Sequence, residues 1–88
     1  MAIITLTTDL GSKDFYQAAL KGSILNILPT ANIVDITHEV PSFNIQYAAF
    51  VLKNAYPHFP KNTVHLIGID SVFSENTKYI ALRYKDHY

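Results

Sequence analysis

Residues 3–8 read IITLTT, and residues 9–14 read DLGSKD. The first stretch is β-branched or aliphatic at nearly every position, which suits a strand covered on both faces as in a parallel sheet. Asp9, Gly11, Ser12 and Lys13 then break the pattern, so the carboxyl end of that strand lies at Asp9.

From Asp14 to about Leu28 the apolar spacing becomes helical: Tyr16, Leu20, Ile24 and Ile27 form a stripe that Ala19 and Leu28 widen. Asp14 stands where an N-cap belongs, its carboxylate able to accept from free backbone N–H groups at the positive helix end. Pro29 stops the helix. NIVDIT, residues 32–37, is a second strand, followed by a loop broken at Pro41. Asn44 can cap a second helix reaching about Tyr56, with Ile45, Ala48, Ala49, Leu52 and Ala55 on one face and Pro57 and Pro60 closing it. TVHLIGID, residues 63–70, reads as a third buried strand, SVFSENT as a loop, KYIALRY, residues 78–84, as a fourth strand, and KDHY as a turn.

The expected order is β-α-β-α-β-β, a three-layer α/β fold with a mainly parallel sheet. Right-handed crossovers would make its first three strands parallel. Because the pattern stops just after a turn, the expectation is an incomplete N-terminal domain.

At 88 residues, one domain of this size buries roughly 60 to 65 per cent of its unfolded surface, so the core is thin. Hydrophobic residues make up 49% of the chain and charged residues 16%, enough apolar area for a globular fold. Seven basic and seven acidic side chains cancel, leaving no field to draw a phosphate backbone; nucleic acid is not an expected partner. The chain has no cysteine, which excludes disulfides and thiolate metal sites and fits a reducing cytoplasm. No run approaches the ~20 apolar residues of a membrane span.

Ligands of open parallel sheets collect beyond the carboxyl ends of the strands. Those ends carry Asp9, then Thr37 and His38, then Asp70. Two carboxylates on one rim are more than folding requires, and Gly11 would let backbone approach a ligand closely. An aspartate there also forms turns with its own backbone, and that reading stands beside the functional one. His38, His58, His65 and His87 show no metal-ligand spacing. Phe43 sits in the proline-containing loop on the same rim.

These residues resemble a known family. TTDLGSKDFY, LKGSILNILPTANIVDITHEVPSFNIQYAAFVL and YPHFPKNTVHLIGID are similar, in order and spacing, to the N-terminal domain of the S-adenosylmethionine hydroxide adenosyltransferases, relatives of the SAM-dependent chlorinases and fluorinases. The resemblance implies cleavage of S-adenosylmethionine to adenosine and methionine by attack of water at the ribose C5′, with no cofactor and no metal. It implies that Asp9 binds the ribose hydroxyls, that Asp14 lies near the methionine amino group, that Phe43 stacks on the nucleoside, and that Asp70 orients and deprotonates the water. An acid at Asp70 favours hydrolysis over halogenation. After Asp70 the loop reads SVFSENTK, where the family has P-G-V-G and then an arginine; the nearest cation is Lys78, a point charge without the arginine fork. The family histidine falls in a later segment, as does a β-rich second domain that caps the pocket, and the sites form between subunits of a homotrimer. The 88-residue chain alone is therefore expected to be poorly active.

Two other readings compete. Acids at the ends of the first and third strands also describe the Mg²⁺ pocket of a receiver-like signalling module, although Leu10 follows Asp9 where that pocket wants a second acid. A non-catalytic, self-associating fragment would use apolar surface left uncovered.

Overall fold

The structure is a computed structural model that describes residues 2–69 and 80–88. Its elements run β1 (Ile3–Thr8), α1 (Tyr16–Ile27), β2 (Asn32–Thr37), α2 (Ile45–Ala55), a single 3₁₀ turn at Tyr56–His58, and β3 (Val64–Gly68). All three strands are parallel, in the order β2-β1-β3. The step from β1 to β2 runs one way across the sheet, and the step from β2 to β3 runs back over β1. Right-handed crossovers in opposite directions put α1 and α2 on opposite faces, which is the three-layer α/β arrangement read from the sequence.

Being central, β1 is the driest element: Thr5, Leu6 and Thr7 are fully buried and Ile4 and Thr8 nearly so. This is the covered strand that IITLTT predicts. The expectation of a buried third strand is corrected, since Leu66 and Ile67 of β3 are exposed; β3 is an edge of the described sheet, and α2 lies against β1 and β2. The α1 stripe is also looser than its periodicity suggests. None of its residues is buried, and Ile27 is 88% exposed.

The two caps diverge. Asn44 Oδ1 accepts from Tyr47 N–H at 2.9 Å, the expected cap of α2. Asp14 does not cap α1: the cap position is Phe15, without a side-chain bond, and Asp14 Oδ1 takes the Phe15 N–H at 2.8 Å. With the helix starting two residues on, the carboxylate closes on its immediate neighbour instead of reaching the first turn.

The expected fourth strand, residues 78–84, lies partly outside the described residues. Its described part, residues 80–84, forms no strand, its one pairing being an isolated bridge at Tyr84. Tyr84 and His87 instead exchange both backbone bonds, each at 2.9 Å, across Lys85 and Asp86. Both central residues have positive φ, 48° and 64°, as in the tight type I′ turn. The turn expected at KDHY is present. Tyr88 then lies along the outer edge of β3, donating to Thr63 O at 3.0 Å and accepting from His65 N–H at 2.7 Å, the slanted pair of bonds that a parallel neighbour makes.

Candidate active site

Two connections meet at the carboxyl edge of the sheet, the β1–α1 loop carrying Asp9 and Asp14 and the β2–α2 loop carrying Phe43. They are laced together. Gly11 N–H donates to His38 O at 2.7 Å, Val40 N–H to Thr8 O at 3.2 Å, and Ser12 Oγ to Glu39 Oε1 at 2.8 Å. Gly11 makes its bond at φ 75°, in the left-handed region where a side chain is strained. Asp9, half-buried, donates its backbone N–H to Gly68 O at 3.4 Å, which ties the same loop to the end of β3.

Beside Asp9, between β1 and β3, lies an open concavity of about 310 Å³ lined by Thr8, Leu10, Leu20, Leu66, Ile67 and Gly68. Its walls are almost wholly apolar. An apolar hollow with an aspartate next to two of its lining residues in the chain suits a ligand with hydroxyl donors at one end and a hydrophobic or aromatic body.

Beneath the lip runs a hydrogen-bonded chain of side chains. His38 is buried, with Nδ1 2.6 Å from Thr8 Oγ1 and Nε2 2.8 Å from Asp35 Oδ1. Asp35 Oδ2 accepts from Lys21 Nζ at 2.6 Å, and Lys21 also donates to Gln17 at 3.1 Å. Burial pushes the Asp35 carboxyl up, but the hydrogen bonds and charge of Lys21 and the hydrogen bond of His38 outweigh it and hold its pKa below the usual carboxylate range. A second cluster lies at the opposite part of β3. His65 Nδ1 meets Thr5 Oγ1 at 2.6 Å, and its Nε2 lies 3.0 Å from His87 Nδ1. Burial, then the neighbouring His87, pushes the His65 imidazole down from its usual value.

Of the residues singled out in the sequence, Asp9 lies between Thr8 and Leu10, two residues that line the concavity. Asp14 is exposed at the start of α1, and Phe43 is 72% exposed at φ 62° just before α2. The loops that carry them are joined, as given above. Asp70 lies outside the described residues. Sequence reasoning placed His38 on the rim without giving it work, and passed over Asp35 and Lys21; the available signal was a charged residue between the apolar pair Ile33–Val34 and Ile36 of a strand. Among the described residues, no group of three or more His, Asp or Glu side chains could hold a metal ion, and no helix is long and apolar enough to cross a membrane.

The family profile described as SAM hydroxide adenosyltransferase N-terminal domain matches residues 4–88. The chain belongs to this family. It is 46% identical, over 98% of its length and 34% of the relative's, to the (R)-S-adenosyl-L-methionine hydrolase of Methanocaldococcus jannaschii. To the fluorinase of an Actinoplanes species it is 31% identical, over 94% of its length and 28% of the relative's. A crystal structure of a conserved Thermotoga maritima protein superimposes with a TM-score of 0.88 at 41% identity, covering 98% of this chain and 33% of that one. The chain thus spans about a third of the length of these relatives. As a SAM hydroxide adenosyltransferase segment, it carries the α/β fold inferred from its motifs, and the receiver reading loses its basis.

Proposed function

We propose that the natural polypeptide carrying this segment hydrolyses S-adenosylmethionine to adenosine and methionine. The observation that carries the reading is the family match over residues 4–88, with Asp9 at the carboxyl end of β1 between Thr8 and Leu10, which line the apolar concavity. The water oxygen bonds to the ribose C5′ while the C5′–S bond breaks, its electron pair neutralising the sulfonium as methionine leaves. The water's proton passes to a base. Because the leaving group is already activated, the protein's work is to hold the sugar, align the water in line and limit competing solvent.

In this reading Asp9 accepts from the ribose 2′ and 3′ hydroxyls, and Phe43, its ring open to solvent on the joined loop, stacks on the nucleoside. Asp14 lies near the methionine amino group by its place on the Asp9 loop. Asp70, two residues past Gly68, takes the role of orienting and deprotonating the water. In support of hydrolysis, the relatives at 46% and 37% identity are hydrolases, against 31% for the fluorinase. The proposal includes a second, β-rich domain closing the pocket and a homotrimer, for which exposed Phe15, Tyr16, Phe43, Ile45 and Phe50 offer apolar contact surface. It also includes a cytoplasmic location, where S-adenosylmethionine is made and used.

The test is turnover of S-adenosylmethionine by the natural polypeptide in ¹⁸O-water, followed by mass spectrometry of the products. Label in the adenosine 5′-hydroxyl is expected. Absence of turnover, or a 5′-halo nucleoside formed with halide in place of adenosine, would overturn the assignment. Asp70→Asn should suppress kcat far more than binding, whereas Asp9→Ala should mainly raise KM; equal loss of binding in both would contradict these roles.

A further inference from the structure

We infer that His38 is a positioning residue for Asp9, acting through Thr8 and through its own backbone carbonyl. This rests on the reading of Asp9 as the ribose-binding carboxylate. Asp9 is flanked in the chain by Thr8 on one side and by Leu10 and Gly11 on the other, and His38 touches both flanks. Its Nδ1 lies 2.6 Å from Thr8 Oγ1, and its carbonyl accepts from Gly11 N–H at 2.7 Å. Leu10 N–H donates to the same Thr8 Oγ1 at 3.2 Å.

The donor sequence assigns the imidazole. A carboxylate only accepts, so Nε2, 2.8 Å from Asp35 Oδ1, carries the hydrogen. In the neutral ring Nδ1 then accepts from the Thr8 hydroxyl, which leaves the Thr8 oxygen free to accept from Leu10. One direction of donation runs through every bond, from Leu10 to Thr8 to His38 and from His38 to Asp35. Lys21 closes the far end at Asp35 Oδ2, 2.6 Å away. His38 and Thr8 are both buried, so water does not compete for the bond between them, which is the link next to Asp9, while the Asp35–Lys21 end of the chain is open to solvent. The chain on either side of Asp9 is therefore fixed to the loop that follows β2, next to the concavity that Thr8 and Leu10 line.

A buried histidine that merely stabilised the fold would make no such link to substrate, and a double-mutant cycle separates the two. In the natural polypeptide, His38→Gln, which keeps a donor toward Asp35 but abandons the Nδ1 position, should raise KM for S-adenosylmethionine about tenfold, the worth of one hydrogen bond that holds a charged group, with kcat little changed. His38→Asn retains an acceptor near Nδ1 and should recover most of that loss. In an Asp9→Ala background His38→Gln should add nothing further; effects that multiply would overturn the inference. Should Asp9→Ala itself leave KM unaltered, the ribose reading has failed, and positioning is then judged by hydrogen exchange at the Leu10 and Gly11 amides. Exchange about tenfold faster in His38→Gln upholds it; unchanged exchange overturns it. If His38→Gln does not fold, Thr8→Val against Thr8→Ser supplies the same comparison, since only serine keeps the hydroxyl.

Discussion

Adding one methyl group at either of two glycines should move stability in opposite directions. At Gly11 and at Gly22 a Cβ would meet nothing within 4 Å among the described residues, so neither Gly11→Ala nor Gly22→Ala introduces a clash. Only the backbone differs. Gly22 lies inside α1 at ordinary helical angles, where alanine removes unfolded-state freedom and stabilises by about 0.5–1 kcal/mol. Gly11 sits at φ 75°, where an L side chain costs about 1–2 kcal/mol, offset by about 0.4–1 kcal/mol from the same unfolded-state effect, for a net loss near 1 kcal/mol. The two variants should therefore differ by about 1.5–2 kcal/mol, a separation of about 1 M in urea midpoint at a typical slope of roughly 1–3 kcal/mol/M. Urea titration of each variant of the 88-residue chain, followed by far-ultraviolet circular dichroism, measures it. Midpoints that shift the same way would refute the reasoning, because contacts are equal at both sites and only φ distinguishes them. Since Gly11 N–H is also bonded to His38 O, its variant should in addition loosen the Asp9 loop and raise KM in the natural polypeptide.

Asn44→Ala should destabilise by about 1 kcal/mol, read as a lower thermal midpoint, because the Tyr47 N–H loses its cap while nothing else at the helix start replaces it. Stability should rise with pH in two windows. His65, depressed below its ordinary 6.5, is protonated more readily unfolded than folded, so stability should fall as pH drops below about 6.5 toward its folded pKa, and His65→Gln should remove that step. Asp35, held below 3.8, contributes stability that is complete above that value and is lost as pH falls through its lower folded pKa; Asp35→Asn should flatten this second step. Unfolding curves collected from pH 8 to about pH 2 test both, and a flat profile across the upper window would contradict the placement of His65.

Much of the element order was legible in the chain because it depends on neighbours in sequence. IITLTT is β-branched or aliphatic at every position and becomes the central covered strand; the i, i+3, i+4 spacing from Ile45 becomes α2, and Asn44 caps it. The rim position of Asp9 follows from the same local reading, since a strand's carboxyl end is marked by its break. Other features depended on contacts between distant residues. Asp14 reads as a cap, yet the helix begins beyond its reach. The stripe on α1 reads as core, yet burial depends on what the helix packs against, and the described sheet leaves much of it open. KYIALRY reads as a strand, yet its described part only leads into the Lys85–Asp86 turn, which brings Tyr88 to the edge of β3.

By itself, then, the sequence determined the first three strands, the two helices between them and which acidic residue ends the first strand, because φ and ψ preferences and apolar periodicity act over a few residues. Only the tertiary structure decided that Lys21, Asp35, His38 and Thr8 form one chain of bonds. Those four come from α1, β2, the loop after it and β1, and they meet because β2 pairs directly with β1 while α1 crosses between them. Strand order is set by long-range packing, and packing is what turned a histidine without an evident task into the support of the Asp9 loop.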